Sequence, residues 1–289
     1  MQWGQIKTLF ILCFLILDIF LAHQFMQKQQ ESEYALLDSP NFEESLEAAN
    51  ITVGELPKET VKESYISAKK HTFTQSELDE NDTILNNQDI TRLKNDHVLV
   101  STFDKPLDVN LESAKDVIES TVTSNVMFGD RYTFWNYNEE EDVLIFFQNY
   151  QDKPFYYNEN AMIMAKANEE GHITGYVQTL VDDVSDTGEP KELINPMQAV
   201  EKLYNQNELF EGDNVTGMSL GYHTLWALEG AQIFSPTWKL AIQNGEESRN
   251  HYVNGVEGQL ISTDQSKFIE QAIKNLSIEL EAISGEEKE

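Results

Sequence analysis

Cysteine and basic side chains are scarce in this sequence of 289 residues. The single cysteine, Cys13, excludes an internal disulfide and a zinc site with four thiolate ligands. Twenty basic side chains stand against fifty acidic ones, which gives a formal net charge of −30. Because so acidic a chain repels the phosphate backbone, the composition argues against nucleic-acid binding. Hydrophobic residues at 40% exclude general disorder and allow one large folded domain or two small ones.

Charge is also nearly absent from residues 1–25, which carry only Lys7 and Asp18. Ile6 to Phe25 is an apolar run of 20 residues, the length at which a helix crosses about 30 Å of hydrocarbon. A cleaved signal peptide is the alternative, but the run ends at Ala22 to Phe25 without a small-x-small cleavage site. We therefore expect a transmembrane helix over residues 6–25, after a cytoplasmic tip at residues 1–5.

The predicted helix also orients the chain. Lys7 and the amino terminus precede the span and add a slight positive bias on the cytoplasmic side. The large polar part of the chain follows the span. We expect a single-pass protein of the cell membrane, with its N-terminus cytoplasmic and its C-terminal domains extracellular.

Asp18 is a carboxylate inside the predicted span. Such a group is costly in hydrocarbon unless it reaches water, is protonated or finds a partner. Two interpretations stay open: a snorkelling or protonated side chain, or a polar contact with another transmembrane helix. Asp18 is the candidate residue for that helix contact.

Beyond the span, helical and strand-like periodicities alternate, which is typical of an α+β fold. We predict a stalk at 26–60, a first α+β domain at 61–189, a second at 190–264 and an acidic C-terminal helix or tail at 265–289. In each domain a helix precedes antiparallel strands. The first is predicted from a helix at 110–124 and hairpins at 131–150 and 161–181; the second from a helix after Asn195 and strands at 215–228, 237–242 and 251–256.

Motifs of catalysis and of cofactor or metal binding are missing or incomplete. Gly217 to Gly221 matches G-x-S-x-G, but the following residues are strand-like, whereas the hydrolase motif needs a helix there. No H-E-x-x-H helix and no phosphate-binding loop occurs. The acidic clusters Asp79–Asp82, Glu139–Asp142 and Asp182–Glu189 read as solvated turns, with weak calcium binding as the alternative. We expect no enzyme, no cofactor and no resident metal.

Three aromatic residues, Trp135, Tyr156 and Tyr157, are candidates for an exposed contact that lines a ligand groove. Their alternative role is sheet core, because aromatic side chains favour strands. From the residues alone, the chain is thus a membrane-tethered, acidic binding or interaction module.

Two sets of residues in this sequence resemble known protein families. Asn195-Pro196-Met197-Gln198-Ala199-Val200, Pro236-Thr237-Trp238-Lys239-Leu240 and the segment from Tyr252 to Leu260 resemble a PepSY-type unit. The chain from residue 1 to about residue 262 resembles the YycI family. The residues that carry this second resemblance are Met1-Gln2-Trp3-Gly4-Gln5-Ile6-Lys7-Thr8, Leu17-Asp18-Ile19-Phe20-Leu21, Tyr65-Ile66-Ser67-Ala68-Lys69, Lys105-Pro106-Leu107 and Gly175-Tyr176-Val177-Gln178-Thr179.

The YycI resemblance implies a function that composition cannot give. Members are single-pass membrane regulators that act with YycH on the sensor histidine kinase YycG, also called WalK, which governs cell-wall metabolism. The pair restrains the kinase in some species and activates it in others, and no catalytic residue is known in the family. The alternative is an extracytoplasmic PepSY-like module that inhibits a protease or senses a cell-wall ligand.

Overall fold

A computed structural model describes residues 3–34, 42–228 and 230–286. The helices are α1 (Trp3–Tyr34), α2 (Phe42–Ala48), α3 (Gln75–Glu80), α4 (Asp82–Leu85), α5 (Lys115–Thr123), α6 (Pro196–Asn205) and α7 (Gln265–Glu286). The strands are β1 (Thr52–Val53), β2 (Lys62–Lys70), β3 (Gln88–Leu93), β4 (Val98–Leu107), β5 (Tyr132–Asn138), β6 (Val143–Tyr150), β7 (Lys153–Tyr156), β8 (Met162–Ala167), β9 (Ile173–Gln178), β10 (Val181–Glu192), β11 (Asn214–Leu228), β12 (Ala231–Asn244), β13 (Glu247–Asn254) and β14 (Leu260–Ile261).

The strands form one hydrogen-bonded network in the order β10-β2-β12-β11-β7-β6-β8-β9-β4-β3. Strand β13 pairs with β12 and β14, while β1 pairs with β11 and β5 pairs with β6. Most pairs are antiparallel, and short β7 joins the two halves by pairing parallel to β11 and antiparallel to β6. The predicted α+β class with antiparallel strands is confirmed.

Strand pairing also connects the two predicted domains. Strand β2 pairs with β10 along one edge and with β12 along the other, where Ala68 lies opposite Gln232. Residues near both ends of the predicted first domain therefore share a sheet with the predicted second domain. The domain boundaries at 61, 190 and 265 stay predictions.

Local sequence signals explain several elements. The hairpins β5–β6 and β8–β9 form where alternating apolar strands flank polar turns. Helix α6 begins with a capping box, in which the amide of Gln198 donates to Oδ1 of Asn195 and the amide of Asn195 donates to Oε1 of Gln198, both at 2.8 Å. Both hairpins and this helix are confirmed.

Three expectations are wrong in detail. The acidic stretch Asp79–Asp82, predicted as a turn, falls in α3 and α4. The helix predicted from residue 110 begins at Lys115, because residues 110–114 form a turn whose amide at Glu112 donates to Oδ1 of Asn110. The acidic stretch Asp182–Glu189, predicted as a turn, lies in strand β10. This strand is at the edge of the sheet, where exposed charged side chains are tolerated and oppose edge-to-edge aggregation.

Helices cover separate parts of the sheet. Helix α5 packs on a core around Leu144 and Tyr176, and α6 packs on a second core around Trp238 and Leu240. The short helix predicted in the stalk is α2, which packs on this second core through Phe42.

The predicted C-terminal helix is α7, which lies on the sheet. Its residues Ile273 and Leu276 are buried against Val143, Ile145 and Phe147. Helix α7 therefore contributes to a third core and is not a free extension.

Helix α1 contains the predicted span. Within the described residues, none of the helices combines the length and the hydropathy that a membrane crossing requires.

Candidate functional site

The aromatic residues singled out from the sequence lie together in the structure. Trp135 is on β5, Tyr156 ends β7, and Tyr157 follows with a positive φ of 48°. The ring centroid of Trp135 lies 5.7 Å from that of Tyr156 and 6.1 Å from that of Tyr157. Phe147 on β6 lies 4.9 Å from Trp135, and Tyr252 on β13 lies 4.9 Å from Tyr156. The sheet topology thus gathers one aromatic cluster from four strands.

The prediction that these side chains are exposed is wrong for Tyr156 and Tyr157. Tyr156 is fully buried and Tyr157 is 8% exposed, whereas Trp135 is half-buried. The physical reason is that α7 covers this face of the sheet. The hydroxyl of Tyr157 donates to Oε1 of Gln265 at 2.8 Å, and its ring lies 5.5 Å from Phe268. A role in partner contact stays a prediction for all three.

Burial also shifts the ionisation of the tyrosines in this cluster. It raises the pKa of Tyr156 above 10, although a hydrogen bond with Ser219 opposes the shift. Burial likewise raises the pKa of Tyr252, and the neighbouring Tyr157 adds to that rise. Both phenols are therefore neutral at physiological pH.

A groove of about 1390 Å³ opens beside the aromatic cluster. Trp135, Tyr156 and Tyr157 line it, and the first half of α7 forms one wall. Amide and hydroxyl side chains supply a large part of the remaining lining: Thr133, Asn136, Asn138, Asn149, Ser219, Ser248, Asn250, Ser266 and Ser277. An aromatic patch within a polar rim is the kind of surface that binds a ligand or a partner segment.

Lys239 is a half-buried cation in this groove. It lies on β12, and its Nζ is 4.5 Å from the centroid of the Trp135 ring, which is a cation–π contact. Burial lowers the pKa of Lys239, and the charge of Lys115 at the start of α5 lowers it further. In the part of the chain that the structure describes, neither lysine forms an ion pair.

The G-x-S-x-G match lies in the groove but in the wrong context for a nucleophile. Ser219 is in the middle of β11, which continues to Leu228, so no helix follows the serine. Its Oγ is 3.3 Å from the hydroxyl of Tyr156. A Cβ at Gly221 would lie 2.4 Å from Cε2 of Tyr156 and 2.6 Å from the carbonyl oxygen of Pro154. Close packing of β11 on β7 therefore explains this glycine.

Asp18, the predicted helix contact, lies far along the chain from the groove. It is in α1 and its side chain is exposed. Its contact with another helix stays a prediction.

Metal-binding chemistry has no candidate among the described residues, where no three His, Cys, Asp or Glu side chains are grouped to hold an ion. Of the acidic clusters, Glu139–Asp142 surrounds the β5–β6 turn, and Asp79–Asp82 falls in α3 and α4.

Sequence reasoning missed Lys239 and Gln265 as members of the site. Lys239 carries a local signal, because it is the charged residue in the otherwise uncharged strand segment Pro236 to Leu240. Gln265 carries none, because its place follows from how α7 docks. Its Nε2 donates to the carbonyl oxygen of Asn250 at 2.8 Å and ties α7 to β13.

The fold and groove together define a mixed α+β protein with an aromatic-lined groove. A family model described as YycI protein matches residues 29–256. Because this match covers most of the chain, the protein belongs to the YycI family. No curated protein matches the chain.

Solved structures with a similar arrangement share little sequence with it. An uncharacterized protein from Eubacterium rectale ATCC 33656 is 11% identical, with 74% of this chain and 91% of that chain covered and a TM-score of 0.45. The YpeB C-terminal domain of Bacillus megaterium is 11% identical, with coverages of 67% and 100% and a TM-score of 0.40. YycH from Bacillus subtilis is 12% identical, with coverages of 73% and 62% and a TM-score of 0.40.

Proposed function

We propose that this protein is a non-enzymatic, single-pass membrane regulator of the YycFG (WalRK) two-component system. It acts with YycH on the sensor histidine kinase YycG/WalK, which controls cell-wall metabolism. The observation that carries the proposal is membership of the YycI family over residues 29–256. In this proposal the N-terminus is cytoplasmic, α1 contacts the helices of the kinase and of YycH, and the domains after α1 are extracellular.

The surface of α1 supports the proposed anchor. Every large apolar side chain described from Phe10 to Leu21 is exposed, by 48% to 66%. An apolar surface that surrounds a helix requires cover from lipid or from partner helices in its native setting.

Coupling to the kinase requires more than contact. A bound helix shifts the kinase only if it binds one kinase state more tightly than the other. A polar side chain in the span supplies such a difference when its partner is in reach in one state and out of reach in the other. Asp18 is the residue for which we propose this role.

Replacing Asp18 with leucine tests the helix contact. A polar contact between membrane helices contributes about 1–2 kcal/mol, so its loss changes the balance of kinase states roughly 5- to 30-fold. We expect Asp18→Leu to change transcription from a WalR-dependent promoter, at equal protein level, in cells that produce YycH and the kinase.

Cys13→Leu is the matched control, because it makes an apolar replacement in the same helix and Cys13 is also exposed. Its output should equal that of the wild type. Unchanged output from Asp18→Leu would remove Asp18 from the mechanism. A crosslinked pulldown from native membranes tests the partners themselves, and recovery of YycH with a histidine kinase is the expected result.

The second candidate function is a PepSY-like module that inhibits a protease or senses a cell-wall ligand. The groove beside Trp135 favours it, because a regulator that acts through helix contacts alone does not need a lined groove of this size. The same pulldown separates the two functions, since a protease or wall fragments in place of YycH and the kinase would support the second.

A further inference from the structure

We propose that the groove beside Trp135 binds an extended segment of a partner protein through a single carboxylate, which Lys239 and Lys115 hold. This inference goes beyond the regulatory role proposed above and does not depend on it. The partner segment is defined by its chemistry: one acidic side chain flanked by neutral or basic residues.

The first step is the charge inside the groove. Lys239 projects from β12 over the ring of Trp135, half-buried, and lacks an ion pair in the described part of the chain. Lys115, the first residue of α5, lines the same groove as Lys239. Two cations in one groove without a carboxylate at ion-pair distance are unfavourable, and burial makes the cost at Lys239 larger. A ligand carboxylate placed between them removes that cost, so the site favours an anion.

The second step is the charge at the rim. Glu140, Glu141, Asp152 and Glu270 line the groove and are exposed, as is one further lysine, Lys274, so acidic side chains outnumber basic ones in the lining. A ligand with several negative charges meets repulsion from these side chains. The arrangement therefore selects one carboxylate and favours neutral or basic neighbours on either side of it.

The third step is the shape of the ligand. Strand β14 covers β13 only at Tyr252 and Val253, so residues 247–251 of β13 lie at a sheet edge. Gln265 already bonds the carbonyl oxygen of Asn250 on this edge, and Ser248 further along lines the groove. A sheet edge and a trough lined by amides and hydroxyls suit an extended peptide, which makes main-chain hydrogen bonds along such an edge. Stacking of a sugar ring is less favoured, because Lys239 already contacts the ring of Trp135.

The test measures binding of a short labelled peptide to the full-length protein in non-ionic detergent, by fluorescence anisotropy. The probe is the acetylated, amidated peptide Lys-Thr-Glu-Thr-Lys. One companion peptide carries glutamine in place of glutamate, and the other carries three consecutive glutamates in the centre. We expect the first peptide to bind at least about tenfold more tightly than either companion, as for a charge-assisted hydrogen bond.

Variants assign the effect to the groove. Lys239→Gln should abolish the preference for glutamate over glutamine, and Lys267→Gln, an exposed lysine of α7 outside the groove lining, should keep it. Lys115 is exposed, so Lys115→Gln preserves the fold and should weaken glutamate-peptide binding several-fold. Circular dichroism confirms that each variant is folded.

Three outcomes would overturn the inference. The first is that the glutamate and glutamine peptides bind equally well, or that neither binds. The second is an undiminished preference for glutamate in both Lys239→Gln and Lys115→Gln. The third is competition by glucuronic acid that is as strong as competition by the peptide. Because the assay contains neither YycH nor a kinase, its failure leaves the proposed regulatory function standing.

Discussion

At the residue scale, Asp213 shows how a buried charge is held in this fold. Its carboxylate is fully buried and forms an ion pair with Arg249. The amide of Phe210 donates to Oδ2 at 2.7 Å, and Nδ2 of Asn244 donates to Oδ1 at 2.9 Å. These bonds join the loop before β11 to β12 and β13, so the carboxylate fixes the start of the long β11–β12 hairpin.

The Asp213 ion pair makes stability depend on pH. Burial by itself would raise the pKa of the carboxyl group, but hydrogen bonds from Arg249, Phe210 and Asn244 outweigh it and lower the pKa below 3.8. A lowered pKa in the folded state means that the stabilisation is present above the unfolded pKa of about 3.9 and is lost as the pH falls through the folded pKa. We expect Asp213→Asn to lower the free energy of unfolding by about 3 kcal/mol at pH 7, because it leaves Arg249 without its charge partner.

Urea unfolding at several pH values between neutral and about 3 measures this effect. The difference in the free energy of unfolding between the wild type and Asp213→Asn should become smaller as the pH falls toward about 3. Asp186→Asn on the exposed edge strand β10 is the control and should stay within about 0.5 kcal/mol of the wild type. A gap that does not change with pH would contradict the electrostatic explanation.

At the element scale, α7 joins the sheet through one face. Ile273 is 6% exposed within the third core, whereas Ile278, little more than one turn further along, is 56% exposed. We expect Ile273→Ala to cost about 2–4 kcal/mol, because it leaves a cavity against the sheet. Ile278→Ala makes the same chemical change on the same helix and should cost less than about 1 kcal/mol.

Equilibrium unfolding of both alanine variants checks this prediction. Equal losses at Ile273 and Ile278 would mean that α7 does not dock on the sheet as the structure has it. Hydrogen exchange supplies an independent measure, since loosening α7 should speed exchange in β6 and β8, which it covers.

How far the elements could be predicted depends on the range of the interactions that form them. The hairpins β5–β6 and β8–β9 and the capped helix α6 are encoded by neighbouring residues, so the sequence pattern predicts them. The acidic composition of β10 predicts a turn, because the sequence does not show that this segment pairs with β2. Strand β2 lies more than 100 residues earlier in the chain. Tertiary pairing outweighs local propensity there.

The range of the interactions also decides how much of the candidate site the sequence predicts. Grouping Trp135 with Tyr156 and Tyr157 followed from composition, and their centroid distances show that the three rings do lie together. The sequence left two alternatives open for these rings, sheet core or exposed contact, and the choice between them depends on α7 folding back from residues 265–286. Lys239 belongs to the site because β12 places it over the ring of Trp135, a contact that only the tertiary structure shows.

At the scale of the whole molecule, the dominant property is a formal net charge of −30. Described ion pairs such as Lys153–Glu63 and Arg249–Asp213 neutralise only a few carboxylates. Most of the other acidic side chains that the structure describes are exposed, including Asp183, Asp186, Glu189 and Glu192 of edge strand β10. Like charges on a compact body repel one another and lower its stability, and salt screens that repulsion.

Added salt should therefore stabilise this protein. Raising NaCl from about 0.01 M to about 1 M shortens the Debye length from about 30 Å to about 3 Å, which removes repulsion between distant carboxylates. We expect Tm, followed by circular dichroism in non-ionic detergent, to rise by roughly 2–6 °C, as for a gain of about 1–2 kcal/mol. The variant Asp186→Asn/Glu189→Gln carries less negative charge on β10, so it should start from a higher Tm and gain less from salt. A Tm that falls with salt in the wild type would instead show that local ion pairs outweigh the net repulsion.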